Sequence, residues 1–275
     1  MKTRMLCIVL PLLASMLGVL GACSPSREEN CLKKVMDMKG NENHVWELEY
    51  DESGRLVRYG DTPISYGRGK ITIGGMEWKS KGDRMYHALF HLNRNGVYGC
   101  ESHCRWVVDG KEVDARKQTT YRNESDTLFI HSRYYVEGIG KPVRQVEAKY
   151  VYDEENRLAE ILSVYSDGEG KETGACHCYY GYHANIRHES NLNLRAFFVD
   201  TEGLDTFFYL LLNLGKREVC GALPNHIRHC VNRGKATYEA DGLYRLVGNI
   251  PDRADVISSQ TELKARFEFE HHLLD

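Results

Sequence analysis

Cysteine and histidine are the residues here that could bind a metal, form a disulfide or act as nucleophiles, and ten of them fall into three groups. Cys100, His103 and Cys104 make the first, Cys176, Cys178, His183 and His188 the second, and His226, His229 and Cys230 the third. Structural zinc takes four such ligands in a tetrahedron. None of the groups has the C-x-x-C spacing that marks a zinc site, so no metal is assigned. Cys220 and Cys230 close a short loop containing Pro224, and Cys100 and Cys104 flank a stretch that reads as a turn, so either pair could bridge. In Cys176-His177-Cys178, an extended strand would put both thiols on one face and His177 on the other. His87 and His91 have the spacing of a helical ligand pair. Met85 to Leu92 reads as a strand, however, on which residues four apart lie ~13 Å from each other, and that pair is read as structural.

Catalytic signatures are missing: there is no Gly-x-Ser-x-Gly, no His-Glu-x-x-His and no Gly-rich phosphate loop. Carboxylates such as Glu47, Glu49 and Asp51 could serve as acid and base only if folding brought them together. No catalytic residue is assigned and no cofactor is required.

The elements that must position these groups follow from composition and pattern. The 275 residues are 42% apolar and 27% charged with a net charge of −3, which excludes collagenous, coiled-coil, disordered and multi-span membrane proteins. Without a basic excess, nucleic acid is not an expected partner. Lys2 and Arg4 precede an apolar run from Leu6 to Leu20, followed by Gly21, Ala22 and Cys23. That is the layout of an export signal over residues 1–22, with an apolar run shorter than the ~20 residues of a membrane span. Residues 23–45 are expected as a tether, opening on the polar stretch Ser24 to Asn30, which has too few apolar side chains to join a core.

From Trp46 to the end, one antiparallel β domain is expected. Short runs rich in Val, Ile, Tyr, Thr, Phe and Trp alternate with Gly, Asn and Asp clusters. Trp46–Tyr50 and Arg55–Tyr59 flank a turn, and Asp109-Gly110 is a strong two-residue hairpin signal. Further strands are expected over Thr127–Tyr135, Val143–Tyr152, Arg157–Tyr165, Lys235–Glu239, Tyr244–Gly248 and Ala265–Glu270. The turn Tyr50-Asp51-Glu52-Ser53-Gly54-Arg55-Leu56 recurs as Tyr152-Asp153-Glu154-Glu155-Asn156-Arg157-Leu158, with a looser copy from Tyr238 through Asp241-Gly242 to Leu246. One segment differs: residues 204–214 are almost continuously apolar between possible capping oxygens at Asp200 to Glu202 and Gly215. A short helix, hydrophobic nearly all round, must be buried. The fold expected is therefore mainly β, a strongly curved antiparallel sheet or partly closed barrel (a hairpin meander) wrapped around one short buried apolar helix.

Leu20-Gly21-Ala22-Cys23 resembles the bacterial lipobox. That resemblance implies cleavage between Ala22 and Cys23 and acylation of Cys23 by palmitate-type chains. The post-cysteine stretch is similar to the acidic signals that send Bacteroidota lipoproteins to the outer face of the outer membrane. The repeated turns resemble those of tyrosine-aspartate repeat proteins. Asp126-Thr127-Leu128 resembles the short site that Bacteroidota glycosylate on exported proteins. The lipobox, the Tyr-Asp hairpins, Asn191-Leu192-Asn193-Leu194, the apolar helix, Leu214-Gly215-Lys216 and Leu223-Pro224 together resemble an uncharacterised family of Bacteroidota lipoproteins with a porin-like β domain. The resemblance implies an outer-membrane, lipid-anchored and surface-exposed chain, or alternatively a periplasm-facing one. The membrane is then a partner through the lipid. The functional expectation is a binding module for a glycan, peptide or protein; the alternatives are an assembly accessory of an outer-membrane complex or a hydrolase.

Overall fold

The computed structural model describes residues 31–39, 42–78, 83–108, 111–182, 192–199, 201–215, 223–224, 226–231, 235–247, 250–258 and 263–271. The strands, in chain order, begin with β1 (Leu32–Lys39), β2 (Glu42–Tyr50), β3 (Leu56–Tyr59), β4 (Thr62–Gly67), β5 (Lys70–Ile73) and β6 (Met76–Trp78). There follow β7 (Asp83–Asn93), β8 (Gly96–Val108), β9 (Lys111–Glu124), β10 (Thr127–Val136), β11 (Arg144–Tyr152), β12 (Leu158–Asp167) and β13 (Glu172–Gly181). The one α-helix among the described residues, α1 (Leu204–Leu211), precedes β14 (His226–Val231), β15 (Lys235–Val247), β16 (Ile250–Ser258) and β17 (Leu263–His271).

Among the described residues every pairing is antiparallel, and all but β5–β7 and β1–β17 join strands consecutive in the chain; β5 and β6 both lie along β7. β17 pairs back with β1, so the meander curls round to meet its own first strand. The β3–β4 contact, two residue pairs long, is the thinnest join. This is the strongly curved antiparallel sheet expected from the alternation.

Alternation also decides which way side chains face. On β9, Ala115, Lys117, Thr119 and Tyr121 are buried while Asp114, Arg116, Thr120 and Arg122 are exposed. On β10, Leu128, Ile130, Ser132 and Tyr134 point in, and Arg133 points out. Outward rings lie beneath cations: Arg122 and Lys149 sit 4.8 and 5.8 Å from the Phe129 ring centre, and Arg116 lies 5.0 Å from that of Tyr135. A membrane-spanning barrel has an apolar outer band; on β9 and β10 the buried apolar side chains face inward.

The interior is filled by α1. All eight of its residues are buried, Phe207, Phe208 and Leu211 completely. Phe207 packs edge-on against Trp78 at 5.0 Å and Phe197 at 5.4 Å, and Tyr209 stacks flat on Tyr121 at 4.0 Å. At ~1.5–3 kcal/mol for each large apolar side chain removed from water, this packing fixes the helix as the centre of the core. The helix caps differ from the expectation. Its N-cap is Gly203, in the left-handed region at φ 93°, and no side chain caps it. At the other end Asn213, at φ 48°, takes the left-handed position; its N–H donates to the Leu210 carbonyl and that of Leu214 to Tyr209. That six-to-one bond is the Schellman arrangement, closed by Asn rather than Gly. Gly215 is needed for space instead, because a Cβ there would lie 2.8 Å from the Tyr209 hydroxyl.

Four further expectations are corrected. The sheet starts at Leu32, inside the stretch assigned to the tether at 23–45. The tether expectation rests on the polar stretch Ser24 to Asn30; beyond it Leu32 and Val35 are fully buried and Asp37 accepts a 2.8 Å bond from the Trp78 indole. Lys235–Glu239 and Tyr244–Gly248 are not two strands: β15 runs straight through Asp241-Gly242, which pair with Ile257 and Val256. The third copy of the turn lies elsewhere. Asp51, Asp153 and Asp167 each accept, through one carboxylate oxygen, the N–H groups two and four residues on, all at 2.9–3.0 Å. In each turn the fourth residue adopts positive φ: Gly54, Asn156 and Gly170. The shared motif is Asp-x-x-Gly/Asn-Arg/Lys, an Asx-type turn. Finally, Cys100 and Cys104 do not flank a turn; both lie on β8, with no bridge between them.

Candidate functional site

An open cleft of about 630 Å³ lies on the outer face of β7 to β10, lined by Tyr86, His103, Asp114, Arg116, Tyr135 and Ile139. Local irregularities build it. A bulge in β7 between Met85 and His87 lets Tyr86 stand clear of the regular register with β8. Its hydroxyl donates to Asp114 Oδ1 at 2.7 Å and accepts a long bond from Arg105 Nη2 at 3.4 Å. Arg105 also pairs with Glu112 at 2.8 Å. The Tyr86 bond is the main reason the Arg105 guanidinium is held above its usual pKa, with Glu112 adding to it. Over the other rim, the β10–β11 connection leaves Ile139 exposed, with its N–H donating to the Val136 carbonyl. Aromatic faces beside charged and hydroxyl groups can stack on a ring and hydrogen-bond its periphery.

The strand beneath the cleft is pinned from inside. Between Asp114 and Arg116, which face out, and Thr119, the Lys117 side chain points inward and is 1% exposed. Its Nζ lies 2.9 Å from Asp205 Oδ1, in the first turn of α1, and also donates to the Glu202 carbonyl. Thr119 donates to the other Asp205 oxygen at 3.2 Å. The Tyr134 hydroxyl and Arg144 both reach Glu202 Oε1, at 2.9 and 3.1 Å. Burial alone would lower the Lys117 pKa, but the Asp205 and Glu202 charges outweigh it and the net shift is upward. Glycine suits position 203, whose φ of 93° other residues rarely adopt, and a Cβ would sit tightly, 3.2 Å from Asp205 Oδ1 and 3.4 Å from Lys117 Nζ.

The cysteine and histidine groups are dispersed. Cys176 and Cys178 share the inner face of β13 with sulfurs 3.6 Å apart, and His177 points outward to Glu160 at 3.0 Å and Tyr179 at 2.7 Å. Cys100 is buried, which pushes its thiol pKa well up and leaves it unreactive. Cys230 belongs to β14; Cys220, His183, His188, Ala22 and Cys23 lie outside the described residues. Among the described residues, no three His, Cys, Asp or Glu side chains gather as metal ligands. Of Glu47, Glu49 and Asp51, Glu49 pairs with Arg58 and Asp51 shapes its turn. Thr127 opens β10 and donates to Asp126 at 3.0 Å. The cleft and the Lys117–Asp205 pair were not singled out in the sequence. The alternation along β9 does place Lys117 inside, but its partner is remote in the chain.

A family model described as "-like" matches residues 32–269. The crystal structure of a porin-like protein from Bacteroides vulgatus ATCC 8482 is 36% identical, covers 90% of this chain and all of its own, and superposes with a TM-score of 0.82. The chain belongs to this porin-like Bacteroides family. A second porin-like protein, from Bacteroides uniformis ATCC 8492, shares the fold at 12% identity, with a TM-score of 0.50 over 89% of this chain and 99% of that one. No curated protein matches.

Proposed function

We propose that this porin-like protein is a lipid-anchored binding module of the cell envelope, and that the cleft on β7–β10 receives its ligand, a glycan or a peptide. Signal cleavage after Ala22 and acylation of Cys23 hold it at the outer membrane, facing outward. More than one acyl chain makes such anchoring stable, each buried methylene contributing ~0.8 kcal/mol. The observation that carries the reading is the cleft itself: two tyrosine rings and Ile139 beside Asp114, Arg116 and His103. An aromatic and an arginine at the centre of a recess are the residue types that dominate binding energy.

The test is a glycan array and a peptide library screened with the chain beginning after Cys23, alongside Tyr135→Ala and Arg116→Ala. A ligand that binds the parent and loses about tenfold or more in affinity with each variant supports the cleft. Equal binding by parent and variants moves the site elsewhere. Capture of outer-membrane proteins with no glycan or peptide hit would favour the assembly-accessory reading. Protease shaving of intact cells, with the domain released, supports outward display; full protection places it facing the periplasm.

A further inference from the structure

Folding re-sorts the histidines. His87 stands four residues from His91 in the sequence, and His103 sits between Cys100 and Cys104, yet the β7–β8 register sets His87 directly opposite His103. Both are exposed, and their ring centres are 4.6 Å apart with planes inclined by 31°. Among the described residues neither ring has a hydrogen-bond or ion-pair partner. His177 differs, because Glu160 and Tyr179 occupy its two nitrogens. The neighbouring charges are committed elsewhere: Arg105 to Glu112 and Tyr86, and Arg116 to the face of Tyr135.

We propose that His87 and His103 form a surface site for a borderline divalent transition-metal ion such as Zn²⁺, at the edge of the cleft that His103 lines. Directly opposed residues on antiparallel strands have Cβ atoms ~4.5–5.5 Å apart, so two short rotamer adjustments bring one nitrogen from each ring onto a common ion. Neutral imidazole suits Zn²⁺, Ni²⁺ and Cu²⁺. Two protein ligands leave the remaining positions to water or to an oxygen of a molecule in the cleft, the open arrangement of a zinc site that is not purely structural. No bond is made or broken; each imidazole lends a lone pair and must be unprotonated to do so.

The experiment is a Zn²⁺ titration of the full chain in detergent after chelator treatment, followed calorimetrically, with no glycan or peptide present. The variants are His87→Ala and His103→Ala, with His91→Ala and His177→Ala as controls, all checked for native circular dichroism. One equivalent whose affinity falls at least tenfold in both His87→Ala and His103→Ala, and in neither control, supports the site. No uptake, an adventitious ion only at millimolar zinc, or uptake indifferent to His87 and His103 overturns it. Because ligand screening in zinc-free buffer tests the cleft separately, failure of either inference is distinguishable from failure of the other.

Discussion

Lys117 and Asp205 are both almost wholly buried, so their pairing is a matter of necessity more than of strength. A buried ion pair often adds little over apolar residues of the same shape, whereas removing one partner strands the other charge. Lys117→Met is therefore expected to destabilise the domain by ~3–5 kcal/mol, and Lys117→Met with Asp205→Leu to recover most of that loss. Denaturant unfolding of the two variants checks this; equal losses would contradict it. The buried phenols make a second prediction. Burial raises the Tyr66 pKa to about 12 and those of Tyr59, Tyr121 and Tyr134 well above the ordinary value of 10.0. These groups keep their protons in the fold while the unfolded chain loses them, so their contribution is intact below pH 10 and falls as pH rises from there. The upward shift of Lys117 acts in the same direction. Unfolding free energy measured between pH 9 and 12 should decline steadily. At this scale, the shared face of Cys176 and Cys178 was legible, because alternation needs no partner. Lys117 was not, because its role depends on a residue brought to it by a distant helix.

Among the elements, α1 and the Asp turns divide the work of fixing the fold. Phe207→Ala removes a fully buried ring from contact with Trp78 and Phe197, and should cost ~3–5 kcal/mol in a thermal or denaturant melt; a cost below ~1 kcal/mol would show the helix is not the core. Asp153→Ala removes two turn hydrogen bonds and the Arg157 pair at 2.7 Å, an expected ~1–2 kcal/mol. The Asp153 pKa is held low: burial acts against this, but the bonds from Arg157 prevail. Its contribution is thus present above the unfolded carboxyl pKa and lost as pH falls through the folded value. The variant's deficit should shrink toward acid pH. The helix and most strands could be read from apolar runs and turn residues. The ends of elements could not: the oxygens at Asp200 to Glu202 looked like caps, whereas the cap is Gly203. Asp241-Gly242 looked like a hairpin but lies mid-strand, because turn-forming residues permit a turn without compelling one.

For the whole molecule, the direction of the sheet's faces matters more than the number of its strands. The interior is closed by Phe207, Trp78, Tyr59 and their neighbours, and the outside carries Arg116, Arg122, Arg133, Glu147 and Lys149. Each Lys or Arg at the midplane of a lipid-facing barrel wall would cost ~2–4 kcal/mol, so likeness to porins in strand layout does not bring a lipid-facing surface with it. The proposed lipid anchor at Cys23 would then be what ties the chain to the bilayer. Membrane fractionation of cells expressing Cys23→Ser tests this most directly. The variant is expected to leave the membrane fraction and to be recovered folded and monodisperse without detergent; a variant that stays in the membrane and resists alkaline carbonate would contradict the lipid anchor.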